Sequence, residues 1–166
     1  EMSIFEQVYT VPMAHPWTDL MTRLARLGAA VPENVDMGYH LCYGSMNNRH
    51  WKEPDDLGMC VKVGNALAER LSRPINFLHM PVPVDRTDDA YYAPLRDTDL
   101  DLVTDIFLGL LHDDGGATGN TLRLSAASKV LDDFGIATEC GLGRRQPEDM
   151  AEILTLHGQV SRRERG

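Results

Sequence analysis

The chain has 166 residues and a formal net charge of −9, and 43% of its residues are hydrophobic and 25% charged. This composition predicts one globular domain over residues 1–166 with a solvated tail at residues 161–166. An acidic chain with mostly scattered basic residues is a poor partner for nucleic acid or an anionic membrane, and no apolar run reaches the ~18 residues that span a bilayer. We therefore expect no nucleic acid and no membrane among its partners.

The first half of the chain predicts two helices and two strands in alternation. Leucines at helical spacing indicate a helix over residues 17–31, and an apolar run over residues 35–43 indicates a buried strand. Residues 57–71 carry a second helical stripe, and residues 74–82 predict a second strand, which two prolines stop. This alternation is typical of a protein built from βα units.

A long loop is predicted next, over residues 82–101. We expect it to have a function, because structureless loops of this length are uncommon in compact domains. Its charged and aromatic residues include Asp85 and Tyr91, which we interpret as part of a lid or a substrate wall. An ordinary surface loop would have a similar composition, so both interpretations stay open.

The second half of the chain repeats the alternation of strand and helix. A glycine-rich stretch after the third strand predicts a loop, and a proline followed by acidic residues predicts the start of the last helix. The predicted segments are a strand at residues 105–112, a loop at 113–121, a helix at 122–135, a strand at 135–140 and a helix at 147–160.

The strands are apolar throughout rather than alternating, which is typical of a parallel sheet covered by helices. The predicted fold class is therefore α/β with parallel βα units. Four strands do not close a (β/α)8 barrel, which typically needs at least ~200 residues. The chain is either half of such a barrel or a small open α/β sheet.

Reactive side chains stand near the ends of all four predicted strands. The carboxyl ends of parallel strands meet at one edge of the sheet, so we expect these side chains to lie close together. Zinc prefers four ligands of the histidine and cysteine type. The predicted His₂Cys₂ zinc site consists of His40, Cys42, His79 and Cys140, with His112 at the end of the third strand.

The three cysteines do not form a disulfide framework, because they are odd in number and widely spaced. Together with six histidines they indicate a reducing compartment, and acidic residues stand where a signal peptide would be basic. We therefore predict a cytoplasmic protein. Cys60 falls within the second predicted helix and is interpreted as a packing residue.

Three segments resemble the cobalamin-independent methionine synthase superfamily, which includes related zinc thiol alkyltransferases and, more distantly, uroporphyrinogen decarboxylase. "HLCYG" is similar to the family's His-x-Cys strand end, "NFLHM" stands where the family carries its next ligand, and "ATECGLGRR" resembles its last-strand cysteine followed by glycine. The resemblance extends from Asp36 to Val160. It implies the second half of a (β/α)8 TIM barrel, the C-terminal half of the catalytic barrel in this family.

The resemblance also implies a set of zinc ligands. His40, Cys42 and Cys140 match ligands of the family, whereas methionine synthases carry an acidic ligand where this chain offers His79. The acidic residues with which the family holds the ammonium group of its amino acid substrate have no evident counterpart here. The expected substrate is therefore a thiol other than homocysteine.

The activity implied by the resemblance is that of a zinc-dependent methyl or alkyl transferase, with a small thiol and an alkyl donor as its substrates. Zn²⁺ would lower the pKa of the substrate thiol and hold it as a nucleophilic thiolate. His112 is expected to pass a proton to the leaving group, and Arg144 and Arg145 to contact an anionic group near the metal. Asp85 and Tyr91 would line the substrate.

Two other functions remain open. A zinc-dependent hydrolase or lyase on the same barrel would keep a water molecule at an open ligand position. A non-catalytic fragment or subunit would hold only a structural metal. If the chain is half of a barrel, its expected partner is an N-terminal half-barrel or a second copy of itself in a homo-oligomer.

Overall fold

Four parallel strands lie side by side in chain order in one sheet in the computed structural model, which describes residues 15–44, 50, 52–99 and 103–163. The strands are β1 (Gly38–His40), β2 (Ile75–Pro81), β3 (Val103–Leu111) and β4 (Gly135–Thr138). The helices are α1 (Pro16–Ala29), α2 (Gly58–Ala68), α3 (Asp89–Tyr92), α4 (Gly116–Ala127) and α5 (Met150–Arg163), with 3₁₀ turns at Ala93–Asp97, Leu142–Arg144 and Pro147–Asp149. The predicted α/β class with parallel βα units is confirmed.

Helix α1 begins at a proline, whose missing N–H costs nothing in the first turn of a helix. Its inner face buries Met21 completely, whereas Leu27 is 64% exposed and lies outside the packed stripe. The Tyr39 hydroxyl donates to the Leu24 carbonyl at 2.8 Å and ties the helix to strand β1. The predicted helix is therefore correct, although one of its leucines faces water.

The two faces of the sheet differ. Crossovers between parallel strands are right-handed in nearly all proteins, so parallel strands in sequence order place their connecting helices on one face. Leu78 and Leu108 lie fully buried, and Leu78 is close enough to Gly64 of helix α2 that a methyl group there would clash. On the other face the rings of Phe77 and Phe107 meet edge to face at 6.2 Å, and Phe77 is 38% exposed.

Glycines on the edge strands make room for these two aromatic rings. A Cβ atom at Gly38 would lie 2.4 Å from the ring of Phe77, and one at Gly135 would lie 2.3 Å from the ring of Phe107. Each ring therefore lies over the neighbouring strand, where any larger residue would displace it.

Strand β1 is shorter than the apolar run over residues 35–43 predicted. Its ladder ends at the pair His40 and His79, after which the Leu41 N–H still donates to the His79 carbonyl at 2.8 Å. Cys42 follows beyond the strand, and Gly44 has a φ of 88° in the left-handed region. The chain leaves the sheet here, so strand alternation does not set the direction of Cys42.

The loop predicted at residues 113–121 is wrong in its second part, because helix α4 already begins at Gly116. The preceding Gly115 has a φ of 79°, which turns the chain into the helix without a Cβ penalty. The helix ends at Ala127, earlier than the predicted residue 135. A polar stretch rich in glycine thus becomes helical, since buried contacts of its side chains outweigh its weak helix propensity.

Two further expectations change in the structure. The loop predicted at residues 82–101 contains helix α3 and the turn Ala93–Asp97. Helix α5 continues to Arg163 and so includes residues 161–163 of the predicted tail, and residues 164–166 lie outside the described residues. No helix in the described part of the chain is long and apolar enough to cross a membrane.

Candidate metal centre

Three of the four predicted ligands lie together in the structure. The ligand atoms of His40, Cys42 and Cys140 all lie within 4.8 Å of one another. His40 ends strand β1, and Cys140 follows strand β4 by two residues, so the group joins the two edges of the sheet. Three strand spacings on a flat sheet would separate these edges by about 14 Å. The chain segments that follow strands β1 and β4 therefore converge over the sheet.

The chemistry of this group fits zinc, which takes imidazole nitrogen and thiolate sulfur as ligands. Burial lowers the pKa of His40, so its imidazole is neutral near pH 7 and has a lone pair to donate. Burial, and then a hydrogen bond with Cys140, raises the pKa of the Cys42 thiol to about 11. The Cys42 thiol is therefore protonated without a metal, and metal binding must release its proton.

His79 takes a different position from the other three predicted ligands. It is not a member of the group within 4.8 Å, but its Nδ1 lies 2.8 Å from the Nδ1 of His40, with the ring centroids 4.6 Å apart. Burial, and then the neighbouring His40, lowers the pKa of His79 to about 4. His79 is therefore a neutral imidazole that contacts a candidate ligand.

A cavity of about 50 Å³ adjoins the metal group at Cys140. It lies beyond the carboxyl ends of strands β3 and β4, where active sites of parallel α/β proteins are found. It has room for a few small polar groups. Its lining residues are His50, Leu111, His112, Asp113, Thr138, Glu139, Cys140, Leu142, Arg145 and Ile153.

One wall of the cavity is an ion pair between His50 and Glu139. The Nε2 of His50 lies 2.8 Å from Glu139 Oε1, and its Nδ1 lies 3.0 Å from Glu53 Oε2. The hydrogen bond to Glu139 and the second bond to Glu53 outweigh burial and raise the pKa of His50 to about 9. His50 is therefore a cation at neutral pH.

His112 also lines the cavity, and its tautomer is defined by its contacts. Its Nε2 lies 2.7 Å from the Val82 carbonyl and must donate to it, since a carbonyl can only accept. Its Nδ1 lies 3.9 Å from Glu139 Oε2, too far for a hydrogen bond. Burial lowers the pKa of His112, so the ring is neutral and its free lone pair is on Nδ1.

One buried side chain of helix α4, Asn120, holds the backbone of His112, and a second, Arg123, supports Asn120. The Asn120 amide donates to the His112 carbonyl at 2.9 Å and accepts from the His112 N–H at 3.0 Å. The Arg123 guanidinium donates to Asn120 and to the carbonyls of Leu110 and Val84. Both side chains are almost fully buried, so these bonds form without competition from water.

Arg144 and Arg145, which were predicted to contact an anionic group, lie in different environments. Arg145 lines the cavity and forms an ion pair with Asp113. Burial raises the pKa of the Asp113 carboxyl, but the hydrogen bond and the charge of Arg145, together with backbone N–H groups, lower it overall. Arg144 ends the 3₁₀ turn before it and is exposed. Only Arg145 of the two lines this cavity.

Neither of the residues predicted to line the substrate, Asp85 and Tyr91, lines this cavity. Tyr91 is fully buried, and its hydroxyl donates to the Pro81 carbonyl at 2.9 Å. Asp85 is exposed on the loop after strand β2. Tyr91 therefore belongs to the core, because aromatic side chains with a satisfied hydroxyl pack well between strand and helix.

Sequence reasoning assigned no role to two residues of this site. Glu139 follows strand β4 and precedes Cys140, so its position at a strand end was a usable signal. His50 had no such signal, because it follows no predicted strand and reaches Glu139 only through the tertiary fold.

Comparisons with known proteins identify no relative of this chain. No protein-family model matches the chain, and no curated protein and no solved structure matches it significantly. The case for a function therefore rests on the residues and the geometry of the site.

Proposed function

We propose that the protein is a zinc-dependent methyl or alkyl transferase that activates a small thiol other than homocysteine. The observation that carries the proposal is the group formed by His40, Cys42 and Cys140, with ligand atoms mutually within 4.8 Å. A catalytic zinc site has three protein ligands and keeps its fourth position for substrate. A bound Zn²⁺ would hold a substrate thiol as a thiolate at neutral pH.

The ligand types favour sulfur chemistry over water activation. Two cysteine thiolates cancel the charge of Zn²⁺, which reduces its power to acidify water and increases the electron density on a thiolate substrate. Sites that activate water more often use histidine and carboxylate ligands. The pair Cys42 and Cys140 therefore supports thiol alkylation as the first hypothesis.

The cavity beside Cys140 supplies groups for the rest of the reaction. His112 offers a neutral Nδ1 that can take up the thiol proton and return it to a leaving group. Arg145 and His50 are cations in the wall, and Arg145 can exchange its partner Asp113 for an anionic group of a substrate. These residues support a small polar or anionic substrate.

The architecture behind this proposal is half of a (β/α)8 barrel. Sequential parallel strands, with helices on one face and the partly exposed Phe77 on the other, are what half of such a barrel would present. The convergence of Cys42 and Cys140 across the sheet also supports a curved, barrel-like sheet. Either an N-terminal half-barrel or a second copy of the chain would complete it.

The second candidate is a zinc-dependent hydrolase or lyase. It is favoured by the same three-ligand group, because an open fourth position also suits a water molecule. A structural metal in a non-catalytic subunit is the third candidate, and it would require a closed fourth position.

Metal content of purified variants tests the site itself. We expect about one equivalent of zinc per chain by elemental analysis, and its loss in Cys42→Ser and Cys140→Ser. Cys60→Ser is the matched control, because the Cys60 sulfur is buried and donates to the Tyr43 hydroxyl at 3.2 Å in the core. Full retention of zinc in both ligand variants would refute the metal site.

Zinc K-edge X-ray absorption separates the three candidates. Titration of the zinc-loaded protein with 2-mercaptoethanol and 3-mercaptopropionate should add one sulfur neighbour at about 2.3 Å if thiols bind the metal. An oxygen neighbour that thiols do not displace would favour the hydrolase or lyase. Four protein ligands that no added thiol alters would favour a structural metal.

A further inference from the structure

We infer that His79 is a positioning residue that acts through His40 and is not the fourth metal ligand. The inference rests on the metal site of the proposed function and adds a role that neither the sequence motif nor the three-ligand group assigns. It predicts that His79 sets the tautomer and orientation of the His40 ring. The fourth position of the metal then stays open for substrate.

The relation between the two rings is fixed by the sheet. His40 and His79 are Cα partners in the parallel ladder of strands β1 and β2, and the Leu41 N–H donates to the His79 carbonyl at 2.8 Å. Their Nδ1 atoms lie 2.8 Å apart, which is hydrogen-bonding distance. Two such nitrogens share one proton, so one ring donates and the other accepts.

Metal binding would select one direction of this hydrogen bond. A neutral imidazole has one N–H and one lone pair, so His40 can donate its Nε2 lone pair to a metal only if its proton is on Nδ1. His40 then donates through Nδ1 to the Nδ1 of His79. Metal-bound histidines commonly donate their second N–H to such a partner.

The other side of the His79 ring reaches across strand β3. A Cβ atom at Gly109 would lie 3.0 Å from His79 Nε2 and 3.2 Å from the Thr138 carbonyl oxygen, so glycine leaves room for the ring. If His79 accepts at Nδ1, its proton is on Nε2, a buried atom near this carbonyl that makes no hydrogen bond within the described residues. Thr138 stands two residues before Cys140, so the His79 ring lies between the histidine ligand and the strand that precedes the cysteine ligand.

The same geometry argues against His79 as the fourth ligand. Ligand atoms of a tetrahedral zinc site lie about 3.3 to 3.8 Å apart, given zinc bond lengths near 2.0 to 2.3 Å. The two Nδ1 atoms are closer than this, at 2.8 Å, and His79 is not within 4.8 Å of all three other ligands. One metal ion cannot be held by both Nδ1 atoms unless the rings separate.

Substitutions of His79 that differ at the position of Nδ1 test the inference. In His79→Asn the amide oxygen can occupy the place of Nδ1 and accept from His40, whereas His79→Leu has no acceptor. We expect the zinc dissociation constant, measured by competition with a chromophoric chelator, to rise about 10- to 100-fold in His79→Leu. It should stay within a few-fold of the wild-type value in His79→Asn. His157→Leu on helix α5 is a histidine control outside the site.

X-ray absorption of the zinc-loaded variants provides the second readout. A positioning role predicts the same number of nitrogen and sulfur neighbours in wild type and His79→Asn. Loss of one nitrogen neighbour in His79→Asn, with affinity as weak as in His79→Leu, would make His79 a ligand and overturn the inference. Unchanged affinity in His79→Leu would overturn it as well.

The outcomes for this inference and for the metal site itself can be told apart. If Cys42→Ser and Cys140→Ser lose zinc while His79→Leu does not, the site is right and the role of His79 is wrong. If the wild-type chain binds no zinc, both are wrong. Circular dichroism of the metal-free variants shows whether reduced affinity reflects a loss of fold.

Discussion

Asn120 is expected to contribute more to stability than any surface amide of this chain, although it lies in a stretch whose sequence predicts a loop. Its side chain is fully buried and makes three hydrogen bonds, two with the backbone of His112 and one with Arg123. Asn120→Ala removes all three and leaves two backbone groups and a guanidinium N–H without their partner.

The magnitude follows from the cost of unsatisfied buried groups, about 1–3 kcal/mol each. Partial relaxation reduces the sum, so we expect Asn120→Ala to lower the free energy of unfolding by about 3–5 kcal/mol. For a chain of this size that corresponds to a fall in Tm of about 10 °C or more. Urea unfolding followed by circular dichroism measures the first quantity, and a thermal scan measures the second.

Asn65 provides a matched control, because its amide makes the same two backbone hydrogen bonds at a half-buried position where water reaches both bonds. Its amide donates to the Asp97 carbonyl at 2.7 Å and accepts from the Asp99 N–H at 3.0 Å. Water can replace these bonds, so Asn65→Ala should cost no more than about 1 kcal/mol. If Asn65→Ala and Asn120→Ala destabilise the protein equally, the argument from burial is wrong.

Three further predictions concern pH, packing and metal. Glu139 raises the pKa of His50 to about 9, so the stabilisation from this ion pair is complete below the ordinary pKa of histidine and is lost as the pH rises through 9. His50→Gln should therefore lower the free energy of unfolding by about 2 kcal/mol at pH 6 and by much less at pH 10. An equal loss at both pH values would contradict this prediction. Gly135→Ala places a methyl group 2.3 Å from the Phe107 ring and should lower the free energy of unfolding, measured in urea, by about 1–3 kcal/mol. Gly143→Ala is the control and should be neutral, because an added Cβ there has nothing within 4 Å. Equal effects of the two substitutions would refute the packing argument. Chelation of bound zinc should lower Tm by an amount that increases with the affinity of the site, and an unchanged Tm would indicate no binding to the folded state.

The sequence predicted the fold class and the three residues of the candidate metal group, but not where the chain leaves its regular elements. Helix α1 and strand β2 follow the predicted segments closely, because apolar periodicity is a local property of the chain. Strand β1 and helix α4 do not. Their bounds depend on partners distant in sequence, the ladder with β2 and the bonds of Asn120 to His112.

For the candidate site, the sequence alone determined the ligand types and their place at strand ends. Tertiary structure decided which of them meet: Cys42 and Cys140 approach each other from opposite edges of the sheet, whereas His79 contacts His40 and stays outside the group. It also brought His50 to Glu139. The physical reason is that side-chain type and periodicity are carried by the sequence itself, whereas distances between strand ends depend on the curvature of the sheet and the path of the chain beyond it.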